Sequence, residues 1–200
     1  MTTAGLLLAA GAGRRMGGPK ALLELDGQRL VERGIALLTA GGCTPVVVVL
    51  GAQASAVQPH CAGARTVVAA DWAEGMAASL RAGLEALAEL DGVEGCVVAL
   101  VDQPLVQPGA VRRLLAAPGP AAVATYGGRA RNPVRLDAAV WEQVRRSAIG
   151  DVGARAWLHA HPESVHEVDC TDVGAPDDLD VPADLAALGV SVPTSDKVAP

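Results

Sequence analysis

Residues 46–50 read Val-Val-Val-Val-Leu, an apolar run without a polar break. A strand with one face in water alternates apolar and polar side chains. An unbroken run is what a central parallel strand carries when helices cover both of its faces. Further short runs at 6–10, 66–69, 96–101, 121–126 and 164–168 read as strands of the same kind. Between them the apolar residues fall at helical spacing over 29–40, 74–90, 108–116, 137–146, 151–159 and 182–188. Gly41-Gly42 follows the first of these segments and Pro108 opens the third, the stop and start signals expected of helices. Strands alternating with helices predict an α/β fold, a single-domain, Rossmann-like three-layer arrangement with a mostly parallel sheet. The predicted domain covers 1–188, and the mixed, proline-bearing stretch 189–200 is expected to be a frayed tail.

Half of the 200 residues are hydrophobic, yet there is no Phe, one Tyr and three Trp. The core must therefore be built from Ala, Val and Leu, with helices and sheet close together. A net charge of −6 disfavours a nucleic-acid binder, which would present a basic face. Cys43, Cys61, Cys96 and Cys170 are scattered, with no Cys-x-x-Cys pair, and are expected to be reduced thiols rather than zinc ligands or disulfides. No apolar stretch approaches the ~18 residues of a membrane span. The arginines follow the first apolar run rather than precede it, against the order in a signal peptide, so the expected location is the cytoplasm.

Leu8-Ala9-Ala10-Gly11-Ala12-Gly13-Arg14-Arg15-Met16-Gly17-Gly18-Pro19-Lys20 carries most of the chemistry. It follows the first strand, where open α/β sheets place ligands. Its glycines let backbone N–H groups approach a phosphate chain, and Arg15 and Lys20 supply positive charge. A P-loop would need Gly-Lys-Ser/Thr, but Pro19 separates Gly18 from Lys20 and Ala21 follows. A dinucleotide fingerprint would need a third glycine where Met16 stands, and an acidic residue where Gly51 follows the second long strand.

The same segment resembles the Leu-Ala-Ala-Gly-x-Gly-x-Arg-Met-Gly-x-Pro-Lys signature of the MobA-like nucleotidyltransferases, which implies a fold of the nucleotide-diphospho-sugar transferase type. Other segments follow in the family's order, from about Leu6 to Leu188. Gly75-Met76-Ala77-Ala78-Ser79-Leu80 resembles the Gly-Met-x-x-Ser-Leu helix start of molybdenum cofactor cytidylyltransferases, whose serine region faces the base. Asp102-Gln103-Pro104 resembles the family's Asp-Met-Pro, whose aspartate holds magnesium; the middle residue, Gln103, is expected to matter little. Arg131-Asn132-Pro133-Val134 resembles a segment near the acceptor site, with Arg131 departing from a glycine. Gly150-Asp151-Val152-Gly153-Ala154-Arg155 resembles the Gly-Asp-x-Gly-Ala-Arg of the cytidylyltransferase branch; alone, Asp151 would be an ordinary helix cap. Asp178-Leu179-Asp180-Val181-Pro182 resembles a segment whose second aspartate is the other metal-side carboxylate, a role that Asp172 or Asp177 could also take.

The resemblance implies transfer of CMP from CTP to the molybdopterin form of molybdenum cofactor, with release of pyrophosphate. It implies that Leu8, Ala9, Ala10, Gly11, Ala12, Gly13, Arg15, Lys20 and Ser79 bind the nucleotide. Gly11, Ala12 and Gly13 would cradle phosphates through backbone N–H groups, Arg15 would neutralise the β and γ phosphates, and Lys20 would stabilise the α-phosphate. Ala10, through its backbone, and Ser79 would read the base. Asp102 and Asp180 would hold Mg2+, with Mn2+ able to substitute, and Asn132 and Pro133 would meet the acceptor. Lys20, Arg15 and Asp102 make up the expected catalytic set. The partners implied are the two small-molecule substrates and, transiently, a recipient molybdoenzyme or its chaperone. An acceptor phosphate is already anionic at neutral pH, so no general base is required. His60, His159, His161 and His166 are expected to be surface residues. Three alternatives stay open: GTP or another phosphorylated acceptor, a non-catalytic cofactor carrier, and a nicotinamide-dependent oxidoreductase.

Overall fold

The computed structural model describes residues 2–179 and Asp184. Strand β1 (Thr2–Leu8) leads through the glycine loop to a small hairpin, β2 (Glu24–Leu25) and β3 (Gln28–Arg29). Helix α1 (Leu30–Gly41), β4 (Val46–Leu50), the short α2 (Ala54–Val57) and β5 (Arg65–Val68) come next. They are followed by α3 (Met76–Ala88), β6 (Val93–Leu100), α4 (Pro108–Ala116), β7 (Ala121–Tyr126) and β8 (Arg129–Asp137). Helices α5 (Ala138–Ser147) and α6 (Arg155–Ala160) precede the last described strand, β9 (Val165–Asp169). The helix predicted over 182–188, Asp184 apart, and the tail predicted over 189–200 lie outside the described residues.

Seven strands form one sheet in the order β5-β4-β1-β6-β8-β7-β9. β8 alone runs against the others: β1 pairs parallel with β4 and β6, while β8 pairs antiparallel with β6 and β7. The fold is thus α/β with a mostly parallel sheet between two helical layers. One layer packs Leu30, Leu38, Val111 and Leu114 against Leu7 and Val48; the other packs Leu80, Leu84, Leu87, Val144 and Trp157 against Leu6 and Val49. Every residue of β4 is buried, as its unbroken apolar run predicts. Of the largest fully buried side chains all are Leu except Trp157, so the Phe-free core is filled by short side chains at close range.

The run over 129–137 was not expected as a strand, and its charges explain why. Arg129, Arg131, Arg135, Asn132 and Pro133 break every apolar pattern. Pairing with β7 slips between Val123 and Ala124: Val123 faces Val134, Ala124 faces Arg131, and Asn132-Pro133 form a bulge between them. Arg135 is only 7% exposed, because its guanidinium is used inside the protein. It donates to the Gly119 carbonyl at 2.6 Å and to the carboxylate of Asp137. Burial raises the pKa of Asp137 and Arg135 opposes that shift.

β1, β4 and β6 are parallel, so their carboxyl ends open on one edge of the sheet. The ladder continues past them through Ala9 N–H to the Val49 carbonyl (2.9 Å) and Val101 N–H to the Leu8 carbonyl (3.2 Å). β1 has β4 on one side and β6 on the other, which makes this edge the topological switch point where open α/β sheets bind ligands.

Candidate active site

The glycine loop folds back on itself at that edge. The Gly13 carbonyl accepts from Met16 N–H at 2.8 Å and Gly18 N–H at 3.3 Å. Gly13 has φ +56°, and a Cβ there would lie 1.9 Å from the Gly18 oxygen, so only glycine closes this turn. Gly11 differs: a Cβ there would meet no protein atom within 4 Å. The protein's own packing places no demand for glycine at 11, and the space over it opens into a cleft of about 490 Å³. Leu8, Ala10, Gly11, Ala12, Gly13, Lys20 and Ser79 all line this cleft. Two expected residues do not. Ala9 is buried with its N–H spent on Val49, and Arg15 stands exposed on the 3-10 turn Arg14–Met16 while Arg14 lines the cleft instead.

Lys20 and Asp102 meet across the cleft. The Lys20 ammonium donates to Asp102 Oδ2 at 2.8 Å, bringing together residues 82 apart in sequence. Their side chains are 17% and 23% exposed, sheltered but within reach of a ligand. Asp102 stands just beyond the carboxyl end of β6 and also lines a second cleft of about 650 Å³. Asn132 and Arg131 reach that second cleft from the β8 bulge; Pro133 is buried and does not line it. Its walls are apolar at Leu100, Val123, Val134 and Leu158 and charged at Arg131, Arg155, Glu167 and Asp178.

Three features escaped the sequence. The predicted helix over 151–159 is shorter and begins at Arg155, so Asp151 caps a different helix. Asp151 Oδ1 accepts from Met76 N–H at the start of α3 (3.2 Å), and Asp151 lines both clefts. Gln103, expected to matter little, is 5% exposed and donates to Asp178 Oδ1 (2.8 Å) and the Pro176 carbonyl (3.3 Å). A buried amide needs such partners, and these hold the returning chain beside Asp102, where Leu179 N–H also donates to the Asp102 carbonyl (3.0 Å). His159 is exposed, as expected of a surface residue, and in addition lines the second cleft; His161 stacks on Trp157 with ring centroids 4.7 Å apart.

All four cysteines are free and buried. Burial pushes the Cys43 thiol up to about 12 and raises Cys96 as well. Among the described residues no three His, Cys, Asp or Glu side chains cluster as a closed metal site, and no helix is long and apolar enough to cross a membrane. Carboxylates line the clefts, Asp102 and Asp151 on both and Glu167 and Asp178 on the second, and hard oxygen ligands suit Mg2+ or Mn2+. Asp180 lies outside the described residues. Asp172 is paired with Arg113 at 2.5 Å and lines neither cleft.

Comparison with known proteins gives this geometry relatives. The model of the MobA-like NTP transferase domain matches residues 5–165. Nicotine blue oxidoreductase from Paenarthrobacter nicotinovorans is 41% identical over 191 residues, covering 88% of this chain and 91% of its own. A probable molybdenum cofactor guanylyltransferase from Opitutus terrae is 35% identical over 108 residues, 52% of this chain and 50% of its own. The crystal structure of Rv0371c from Mycobacterium tuberculosis H37Rv superposes with a TM-score of 0.80 at 30% identity, over 94% of this chain and 97% of that one. The manganese complex of Rv0371C gives 0.77 at 27%, over 94% and 98%. A glycine loop at the switch point, followed across the whole α/β body by this family's pattern, makes the chain a member of the MobA-like NTP transferase family of nucleotidyltransferase enzymes.

Proposed function

We propose that the protein transfers CMP from CTP to the phosphate of a molybdopterin-type acceptor in the cytoplasm. The observation that carries this reading is the Lys20–Asp102 pair at 2.8 Å, on a floor that Asp102 shares between the loop cleft and the second cleft. A phosphate oxygen of the acceptor forms a bond to the α-phosphorus. The bond from that phosphorus to the bridging oxygen breaks, and pyrophosphate leaves with the electron pair. Charge grows on the leaving oxygens, so positioned donors do most of the work. The N–H groups of Gly11, Ala12 and Gly13 cradle the triphosphate, Lys20 meets the α-phosphate, and Arg14, which lines the cleft where Arg15 does not, neutralises its outer end. Ala10 and Ser79 face the base, and Asn132, Arg131 and Arg155 orient the acceptor. Asp102, with Asp178 or Asp180, would hold a divalent ion that aligns the phosphates and offsets their charge. The lining of the second cleft supports this: Asp102, Asp151, Glu167 and Asp178 bring four carboxylates against two guanidiniums, a balance that would repel an anionic acceptor unless a cation offset it. Four buried free thiols fit a reducing compartment.

A second reading, the nicotinamide-dependent oxidoreductase left open by the sequence, is raised again by the 41% identical relative, which is named as an oxidoreductase. The loop speaks against it. Met16, at the fingerprint's third glycine, is buried at 7% exposure, and the loop leads into a 3-10 turn rather than a helix whose N-terminus could hold a pyrophosphate. The test is pyrophosphate release from each of the four ribonucleoside triphosphates with Mg2+ or Mn2+ and molybdopterin cofactor, beside NADH and NADPH oxidation with an aromatic dye. CTP-dependent release is expected. Release with GTP but never CTP would end the cytidylyl assignment, and nicotinamide oxidation without any release would replace the proposal by the second reading.

A further inference from the structure

We infer that Asp151 is a positioning residue that fixes the first turn of α3, and with it the base-facing part of the nucleotide cleft, from the wall of the second cleft. The first N–H groups of a helix have no partner within it. Gly75 precedes α3 and has no side chain to offer; Met76 N–H goes instead to Asp151 Oδ1 (3.2 Å) and Ala77 N–H to the Gly150 carbonyl (2.8 Å). The clasp reaches over 75 residues of sequence. It also places a carboxylate at the positive end of a 13-residue helix, which favours it further.

Gly75 is shaped for this contact. Its φ is +113°, and a Cβ there would lie 2.6 Å from Asp151 Oδ1 and 2.8 Å from the Gly150 oxygen. Ser79, 5% exposed, stands one turn further along α3 and lines the nucleotide cleft with Gly75 and Met76. On the other side, Val152, Ala154 and Arg155 continue the Asp151 segment into the wall of the second cleft. One carboxylate thus ties the turn facing the nucleotide to the segment facing the acceptor. The triphosphate grip lies elsewhere, in the glycine loop and Lys20. Asp151 therefore governs the base-dependent part of nucleotide affinity and leaves the phosphate-dependent part alone.

This inference rests on the reading that the base lies against Ser79. The test is equilibrium binding, by calorimetry, of CTP and of base-free inorganic tripolyphosphate, each with Mg2+, to the full chain. Asp151→Ala is expected to weaken CTP about five- to tenfold, the worth of one lost positioning hydrogen bond, with tripolyphosphate within about twofold of wild type. Asp151→Asn keeps an oxygen acceptor without the charge and is expected to restore CTP binding to within about twofold. Gly75→Ala, which closes on the same contact from the other side, is expected to reproduce Asp151→Ala. Equal weakening of both ligands by Asp151→Ala, or no weakening of CTP, would overturn the inference. So would an Asn variant as impaired as the Ala variant, since the charge would then act directly. A wild type that binds neither CTP nor any other nucleoside triphosphate would overturn the proposed function itself.

Discussion

β4 and β8 belong to one sheet and are built on opposite terms. β4 is five aliphatic residues, all buried, with parallel neighbours on both sides. β8 is nine residues, with three exposed at its start, a bulge at Asn132-Pro133 and a buried guanidinium near its end. The parallel half contributes to the site from loops beyond the strand ends, through the glycine loop around Gly11 and Gly13 and the paired side chains of Lys20 and Asp102. The mixed half contributes side chains from the strand itself and from the segments returning over it, such as Asn132, Arg131, Arg155 and Asp178. On the proposed function, backbone donors of the loop would meet a triphosphate common to all nucleotides, and the side chains of the mixed half would tell one acceptor from others.

Substitutions can break or sharpen that contrast. The largest effect is expected from Trp157→Ala, on α6, in the helical layer that covers Val123, Val134 and Leu136 of the mixed half as well as Leu6 and Val49 of the parallel half. Trp157 is 2% exposed and its indole N–H donates to Gln143 at 3.1 Å, so the loss should be about 3–5 kcal/mol in denaturant unfolding. Tripolyphosphate binding by the remaining folded protein should stay within about twofold, and a parallel loss of that binding would dissolve the separation between halves. Next come Lys20→Ala and Asp102→Ala, each expected to lower the rate of pyrophosphate release by about a hundredfold or more with little change in melting temperature. An unchanged rate in either would move the chemistry away from the parallel half. Arg155→Ala should raise the acceptor KM about tenfold while the nucleotide KM holds, which steady-state kinetics would read directly.

The smallest effect concerns pH. Burial raises the folded pKa of Cys43 to about 12, above an unfolded value near ~8.5. Above the unfolded value the unfolded chain loses its proton and the folded chain keeps it, so this contribution to stability is whole below about pH 8.5 and lost as pH rises toward 12. By about pH 9.5 the loss is on the order of 1 kcal/mol, and Cys43→Ala should flatten that slope. Cys170, in the mixed half, is raised by burial but opposed by the Arg113 guanidinium, so Cys170→Ala should flatten it less. Unfolding curves at several alkaline pH values would rank the two.

The parallel half was legible in the sequence because burial on both faces leaves a pattern. Residues 46–50 fix a central strand by hydrophobicity alone, and the loop from Leu8 to Lys20 carries a long, selective motif. The mixed half was less legible because its constraints are long-range. β8 hides behind Arg135, whose burial depends on carbonyls at Ala117, Pro118 and Gly119. Asp151 reads as a local cap, and only folding reveals that the helix it caps is α3. Gln103 reads as a neutral exchange until Pro176 and Asp178 come back to meet it. Local patterns announce elements, while a side chain whose partner lies some 75 residues away leaves no mark in its own neighbourhood.

A chain emerging from the ribosome at about 5–20 residues per second releases Gln103 roughly 4–15 s before Asp178. Through that interval the parallel half can already assemble, while an amide destined for the interior waits in water. The side of the cleft beside Asp102 is braced only when residues 176–179 arrive, so a nascent polypeptide that has not yet reached them lacks these contacts next to the Lys20–Asp102 pair.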